Sequence, residues 1–373
     1  MATTTNATTA IADKLIVQNV NLLRFAANEA NRILDMLDDL EAELIGDLED
    51  VVGKTDFTIA RLRALLAATR KTVLSAYDKI TATNEKRLVE IAEITAEKAM
   101  SAVNTSIGAD LVGVAWSAAQ LKSIATNTVI RGSFFSDWWD SQAERLQERF
   151  EREMQMGLLR GETVADLATR VRGTKALGYT DGIMTASKRQ AEALVRTSAL
   201  GVTNSARMES YAANDEIIRG VQWVSTLDDR TTFECMALDG CVWEFPDGDG
   251  DADYVDYIPI GHDKEFEPPP IHWNCRSTVV PLTYSWKELA GEHGNSRAAA
   301  LADEVPEKSR ASMDGQVAAD MTFSDWLETK SESFQDDVLG ASRAEMWRSG
   351  ELDLRGLTDQ SNNPLTLEQL REG

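Results

Sequence analysis

Apolar residues in the first third of the chain have the spacing of long amphipathic helices. Between residues 14 and 50 they recur at intervals of three and four, which predicts one helix with a single apolar stripe. The stripe consists of Ile33, Leu37, Leu40, Leu44 and Leu48. Gly53 interrupts the pattern, and a second helical tract is predicted to run to about residue 105. Since no strict heptad is sustained, the pattern favours an antiparallel pair or packing in an oligomer over a long coiled coil.

Three further helices follow in the pattern. One is predicted to begin at Ser136, a suitable N-cap. A short one has Thr163 and Asp166 at capping-box spacing and Gly173 as its stop. A long one runs from Thr185 to Ala213 and ends at Asn214.

The long helix carries polar residues on one face. Each residue advances about 100° around the helix axis, and on this basis most of the polar residues fall within a stripe about 100° wide. Its members are Arg196, Leu200, Thr203, Asn204, Arg207 and Tyr211. Either this face is solvated, or it forms hydrogen bonds with the segment that follows, because polar groups are costly to bury without partners. In the second case we expect Arg196 or Arg207 to pair with Asp228 or Asp229.

The pattern changes to that of strands after residue 216. Val221 and Trp223 alternate with polar residues, a turn is predicted at Asp228-Asp229, and a hairpin turn at Asp239-Gly240. We predict a small β-containing module over residues 217–283. It is closed by the strand STVVPLTY and contains a loop rich in Gly, Asp and Pro at 246–270.

The predicted fold class is therefore α+β and predominantly helical. It comprises long N-terminal helices, a small β-hairpin module with Cys and His, and an acidic helical C-terminal tail. We predict an amphipathic helical region at 1–130, a core at 131–283 and a linker with the tail at 284–373.

The net charge of the chain indicates which class of macromolecule it can bind. The chain has 61 acidic and 38 basic residues, a net charge of -23, and its Arg-containing stretches are interleaved with Glu. Binding of nucleic acid by a basic face is therefore not expected, because the phosphate backbone repels such a surface. Protein partners fit better.

Other sequence features indicate in which cellular compartment the protein is expected. Three Cys in 373 residues do not form a disulfide framework, which favours a reducing compartment. The start MATTTNATTA does not have the pattern of a signal peptide. No apolar run approaches the roughly 20 residues of a membrane helix, so no membrane partner is expected.

Four residues could bind a metal. Cys235, Cys241, His272 and Cys275 would complete a tetrahedral Zn²⁺ shell, with two ligands on the short H-x2-C segment. The C-x5-C spacing of the first pair is wider than in ribbons and fingers. Alternatively, the Cys are small buried hydrophobes and no cofactor is required.

Other chemistry has little support in the sequence. Asp247, Asp249 and Asp251 match the start of an EF-hand loop, but Ala252 and Ile258 stand where Gly and Glu are needed. A nucleophilic Cys–His pair could be drawn from Cys235 or Cys275 with His262 or His272, without the sequence signals of a known protease. No P-loop, dinucleotide fingerprint, G-x-S-x-G or H-E-x-x-H is present. The sequence predicts no catalytic residues.

Three ordered blocks resemble the phage Mu protein F-like family of head morphogenesis (minor head) proteins. The blocks are RTSALGVTNSARMESY, GVQWVSTLDDRTTFECMALDG and PPPIHWNCRSTVVPL, and together they cover about residues 180–283. The tail WLETKSESFQDDVLGASRAEMWRSGEL is similar to tails in this group. The residues that carry the resemblance are Arg196, Thr197, Asn204, Arg207, Tyr211, Trp223, Asp228, Arg230, Thr231, Cys235, Asp239, Gly240, Pro268 to Pro270, His272, Asn274, Cys275, Arg276, Ser277 and Thr278. Trp273 and Cys241 depart from the family pattern, so the shared metal-ligand candidates are Cys235, His272 and Cys275.

The resemblance implies a low-copy virion protein that takes part in capsid assembly and in DNA packaging or ejection. Its expected partners are the portal protein and the major capsid or scaffold protein, with incidental contact to packaged DNA. Its expected location is the capsid interior or portal vertex, and the host cytoplasm during assembly. The alternative is a metal-dependent or ADP-ribosylating phage enzyme.

Overall fold

The chain divides into two compact units made of several segments each. The computed structural model describes residues 6–52, 58–107, 112–113, 116–246, 249–284, 309–318 and 320–372. One unit comprises residues 1–22, 92–121 and 200–373 and is called the sheet unit below. The other comprises residues 23–91 and 122–199 and is called the helical unit. The boundaries at 130 and 283 stay a prediction.

Long helices make up most of the chain before the sheet, as predicted. They are α1 Asn6–Val52, α2 Ile59–Ile107, α3 Ala118–Asn127, α4 Phe135–Arg160, α5 Val164–Arg172 and α6 Ile183–Ala212. The predicted stripe of α1 is buried along its whole length, from Ile33 to Leu48. Gly53, predicted to separate the first two helices, lies outside the described residues.

Two of the predicted helix starts have different outcomes. α5 begins with the predicted capping box: Asp166 N–H donates to the Thr163 hydroxyl, and Thr163 N–H donates to the Asp166 carboxylate at 2.9 Å. Gly173 is its C-cap. The prediction for α4 was wrong, because its N-cap is Phe134 and no side chain caps it. A tight hairpin of β1 Val129–Ile130 and β2 Ser133–Phe134 leads directly into this helix and sets its start.

Trp139 of α4 lies in the core of the helical unit. Trp139 is fully buried, its ring centroid is 6.2 Å from that of Tyr77, and its Nε1 donates to Asn84 Oδ1 at 3.3 Å. The indole can be buried without cost to its polar group because its one hydrogen-bond donor, the Nε1–H, has an acceptor. Trp139 therefore contributes both apolar contact and one hydrogen bond to this core.

A four-stranded antiparallel sheet forms within residues 217–283, in the order β5-β4-β3-β6. Its strands are β3 Ile218–Val224, β4 Val242–Glu244, β5 Ile258–Pro259 and β6 Thr278–Thr283. The central strand β3 pairs with both β4 and β6. All six residues of β6 are buried, as expected for the closing strand of the module.

The predicted hairpin turn at Asp239-Gly240 was wrong. A short helix, α7 Phe233–Leu238, is inserted between β3 and β4, and Asp239 is its C-cap. Gly240 follows with a φ of 76°, a backbone conformation that favours glycine. The dipeptide therefore ends a helix rather than joining two adjacent strands.

The C-terminal segment of the sheet unit is helical after one hairpin. The hairpin consists of β7 Ser309–Ser312 and β8 Gly315–Ala318, and was not predicted. The helices that follow are α8 Phe323–Glu328, α9 Glu332–Leu339, α10 Ala341–Ser349 and α11 Leu367–Glu372. Phe323, Trp326 and Leu327 of α8 share a buried cluster with Met236 and Ala237 of α7. Most of the predicted linker lies outside the described residues.

Candidate functional site

The polar face of α6 is buried where it meets the sheet. Thr278 of β6 donates its hydroxyl to Asn204 Oδ1 at 2.7 Å and accepts a hydrogen bond from Arg207 Nη1. Arg207 Nη2 also approaches Leu15 O of α1 at 3.5 Å. Of the two interpretations of this face, the hydrogen-bonding one fits residues 203–211, and Arg196, which is exposed and paired with Glu192, is solvated.

Arg207 has neutral partners rather than a carboxylate. It is 1% exposed, and burial lowers the pKa of its guanidinium. Tyr211, one turn further along α6, is fully buried, and burial raises the pKa of its phenol. An ionised group buried in this way needs several hydrogen bonds to offset its desolvation. The contacts to Thr278 and Leu15 supply part of that.

The predicted pairing of Arg196 or Arg207 with Asp228 or Asp229 was wrong. Asp228 pairs instead with Arg276, whose Nη2 donates to Asp228 Oδ1 at 2.7 Å while Nη1 donates to Oδ2. Arg276 lies in the segment just before β6, so the pair ties the end of β3 to the start of the closing strand. Two-pronged pairs of this kind are geometrically specific.

Asp228 also organises the turn after β3. Its Oδ1 accepts from Arg230 N–H at 3.0 Å and from the Thr231 hydroxyl at 3.3 Å. Burial alone would raise the pKa of Asp228, but the hydrogen bond and the charge of Arg276 outweigh it, and the pKa is lowered. The guanidinium of Arg230 is exposed and 3.5 Å from the carboxylate. The turn predicted at Asp228-Asp229 thus has Asp228 as its hydrogen-bonding centre.

Two thiols and one imidazole converge beside the sheet. Cys235 Sγ lies 3.2 Å from His272 Nε2 and 3.8 Å from Cys275 Sγ. The three ligand atoms all lie within 4.8 Å of one another, and both Cys are buried while His272 is half-buried. This trio is called the Cys-His cluster below. It has the composition and the spacing of a metal site.

A tight turn sets the position of two members of the Cys-His cluster. Cys275 N–H donates to His272 O at 3.2 Å, and Asn274 between them has a φ of 58°. Asn tolerates this left-handed conformation better than most residues. The third member, Cys235, is presented by α7.

The pKa values of the three side chains in the Cys-His cluster depend on one another. Burial raises the pKa of the Cys235 thiol, and the neighbouring Cys275 raises it further. Burial alone would also raise the pKa of Cys275, but hydrogen bonds with Cys235 and His272 outweigh it and the pKa is lowered. Burial would lower the pKa of His272, yet its contacts with Cys275 raise it.

Cys241 and His262 lie outside the Cys-His cluster. Cys241 Sγ is 3.5 Å from Ala237 O in α7, and burial raises the pKa of its thiol to about 12. The side chain of His262 is bound to the backbone of Val242, 2.8 Å from its carbonyl oxygen, and to Lys264 N–H. Of the thiol–imidazole pairs considered from the sequence, the structure brings together those that contain His272.

The acidic loop offers no comparable arrangement in its described part. Asp251 N–H donates to Asp249 Oδ1 at 3.0 Å, a local turn of the kind aspartates commonly form. Asp247 lies outside the described residues.

Asp239 joins the sheet to the C-terminal helices of the same unit. Its Oδ1 accepts from Ser225 N–H and its Oδ2 from Phe323 N–H, both at 2.7 Å. Ser225 in turn donates its hydroxyl to Cys235 O at 2.6 Å and accepts from Trp223 Nε1 at 3.0 Å. One carboxylate thus links the end of β3, the helix that carries Cys235 and the first turn of α8.

The family comparison gives a match over this same part of the chain. The model described as Phage Mu protein F like protein matches residues 148–280. Residues 148–280 are thus similar to the phage Mu protein F-like family. No curated protein and no solved structure matches the chain.

The Mu F-like region contains all the residues discussed above from Arg196 to Thr278, including the Cys-His cluster. That family is one of structural phage head proteins. The similarity of the tail after residue 323 lies outside the match and stays a prediction. No described helix is long and apolar enough to cross a membrane.

Two structural features were not predicted from the sequence. Lys264 is buried, and its Nζ donates to the carbonyls of Thr358 and Asp359 at 2.6 and 3.0 Å. A lone Lys in a polar loop gives no signal for such a role. Asp314-Gly315, by contrast, is a hairpin-turn dipeptide between β7 and β8 and could have been recognised.

The link through Asp239 gives a first test. In an Asp239→Ala variant, the buried N–H groups of Ser225 and Phe323 both lose an acceptor, so we expect about 2–3 kcal/mol of destabilisation. We also expect faster proteolytic release of the segment after residue 320. Urea unfolding and limited proteolysis measure the two effects.

Asp325→Ala is the comparison for this test. Asp325 is exposed and belongs to the capping box of α8, so its removal is expected to cost about 1 kcal/mol. Equal effects of the two substitutions on stability and cleavage would contradict the bridging role of Asp239.

Proposed function

We propose that this chain is a minor head protein that associates with the portal or the inner capsid and acts in capsid assembly and in DNA packaging or ejection. The observation that carries the proposal is the Mu F-like match over residues 148–280. The expected partners are the portal protein and the major capsid or scaffold protein. During assembly the chain would be in the host cytoplasm, and afterwards at the portal vertex or inside the capsid.

Long helices supply surfaces for such partners. α1 and α2 have 47 and 49 residues, several times the average length of a helix in globular proteins. Along α2, Lys71, Lys79 and Lys86 are exposed. A helix of this length can reach over a large part of a neighbouring subunit.

Charge supports a role beside packaged DNA without tight binding to it. With a net charge of -23, the chain is repelled by the phosphate backbone at long range. Contact with packaged DNA would therefore be incidental and without sequence specificity.

Cross-linking of purified virions tests the proposal. With an amine-reactive reagent followed by mass spectrometry, we expect the chain at a fixed low copy number, with links from Lys71, Lys79 or Lys86 to the portal protein. The exposed α2 lysines are the reason for this choice of reagent. A variant with all three changed to Arg keeps the charge, so particles should still form while these links disappear.

Absence of the chain from mature particles would contradict its role as a virion component. In that case a transient assembly helper or a phage enzyme would fit better. Links from α2 to the major capsid protein alone would favour the shell over the portal as the docking partner.

A further inference from the structure

We propose that Cys235, His272 and Cys275 bind one structural Zn²⁺ ion, with solvent as the fourth ligand. The inference is independent of the proposed function, because it rests on the geometry of the Cys-His cluster alone. The ion would fasten α7 to the turn that precedes β6.

Two of the three distances between ligand atoms are close to those of a tetrahedral zinc shell. Two sulfurs each about 2.3 Å from a tetrahedral ion are about 3.8 Å apart, and Cys235 Sγ and Cys275 Sγ are 3.8 Å apart. A sulfur and a nitrogen on the same ion would be about 3.5 Å apart, and Cys235 Sγ and His272 Nε2 are 3.2 Å apart. All three ligand atoms lie within 4.8 Å of one another, so rotation of their side chains would bring them onto one ion.

The imidazole is oriented for metal binding. His272 Nδ1 lies 2.9 Å from the carbonyl oxygen of Trp273, and a carbonyl can only accept. The Nδ1–H therefore donates to this oxygen, which leaves the lone pair of Nε2 directed at the sulfurs. Histidine ligands in metal sites are fixed by the same kind of contact.

Metal binding requires both cysteines of the cluster to act as thiolates. The Ser277 N–H donates to the Cys275 sulfur. Binding would release the thiol protons, since Cys ligates as thiolate. Two thiolates and an imidazole prefer Zn²⁺ to Mg²⁺ or Ca²⁺, which bind oxygen.

Solvent reaches one side of the Cys-His cluster. His272 is half-buried, and the neighbouring Trp273 and Asn274 are exposed. The remaining thiol, Cys241, is directed at Ala237 O instead. Among the described residues, the ligand set is therefore three side chains, and water completes the shell.

Metal analysis of the full chain, purified without a histidine tag under reducing conditions, tests this proposal. We expect about one zinc per chain, since the three ligands define one site. We expect the content to fall at least tenfold in Cys235→Ser and in Cys275→Ser. Cys241→Ser is the matched control, as the same substitution of a buried Cys outside the cluster, and should retain the metal.

Cobalt substitution in the wild-type chain gives a second readout that does not depend on the folding of variants. Co²⁺ should produce an ultraviolet thiolate-to-metal charge-transfer band and visible bands of tetrahedral strength, and one equivalent of Zn²⁺ should abolish both. Chelation should lower the melting temperature, and Zn²⁺ but not Mg²⁺ should restore it.

Three results would overturn the assignment. One is a wild-type chain with neither zinc nor a cobalt charge-transfer band. Another is a disulfide between Cys235 and Cys275 in the reduced preparation. The third is a loss of zinc in Cys241→Ser as large as that in Cys275→Ser.

Discussion

An Asp228→Ala variant is expected to lose about 3 kcal/mol of unfolding free energy. The substitution leaves Arg276, four-fifths buried, without its carboxylate, and removal of one partner from a buried pair is strongly destabilising. Arg230 N–H and the Thr231 hydroxyl lose an acceptor at the same time. Urea unfolding at neutral pH measures the effect.

Asp229→Ala is the matched control, because Asp229 is the adjacent aspartate and is exposed. We expect a change of no more than about 0.5 kcal/mol for it. If the two substitutions had the same effect, the ion pair of Asp228 with Arg276 would contribute nothing beyond a solvated aspartate.

Acid should remove the advantage of the wild-type chain over Asp228→Ala. The pKa of Asp228 is lowered in the folded state, so its contribution is fully present above the ordinary Asp value and is lost as pH falls through the folded value. The difference between wild type and variant is therefore expected to be constant at neutral pH and to narrow below about pH 4.

A Gly220→Ala variant is expected to lose about 3 kcal/mol or more, because a side chain at this position collides with the neighbouring strand. A Cβ on Gly220 would lie 2.1 Å from Trp243 O and 2.8 Å from Glu244 Cα. Both are backbone atoms of β4, so β3 and β4 would have to separate. Overpacking that moves backbone lies at the upper end of the cost of small-to-large substitutions.

Gly46→Ala is a control substitution that is expected to stabilise the chain rather than destabilise it. Gly46 lies within α1, and a Cβ there meets nothing within 4 Å. Alanine is the better helix former, so we expect a gain of up to about 1 kcal/mol. Thermal unfolding of both variants checks the pair, and a Gly220→Ala variant as stable as wild type would contradict the close packing of β3 on β4.

Helices were predictable from the sequence where local spacing alone decides the structure. The stripe from Ile33 to Leu48 and the capping box of Thr163 depend on residues within a turn or two of one another. α7 was missed because six residues are too few for helical periodicity to emerge from an apolar run. Its existence depends on burial on two sides: Cys235 and Leu238 lie in one apolar cluster, Met236 and Ala237 in another.

In the candidate site, too, contacts between residues close in sequence were predictable and contacts between distant residues were not. The H-x2-C spacing of His272 and Cys275 reports a local turn, so their proximity could be predicted. The choice of Arg276 over Arg207 as the partner of Asp228 could not, because it depends on how β6 pairs with β3 over a separation of 48 residues. Charge alone cannot distinguish arginines that the fold brings to different places.

The contacts of α1 within the sheet unit impose an order on folding during synthesis. Asn19 Nδ2 donates to Arg276 O at 3.1 Å across 257 residues of sequence, and Leu15 O is approached by Arg207. All residues of the helical unit leave the ribosome before residue 200, whereas the start of α1 must wait for the closing strand. Residues 11–22 of α1 would thus be the last to reach their native contacts, and a nascent chain halted before residue 278 would expose the side chains of Ile11 and Leu15 to chaperones or to other copies.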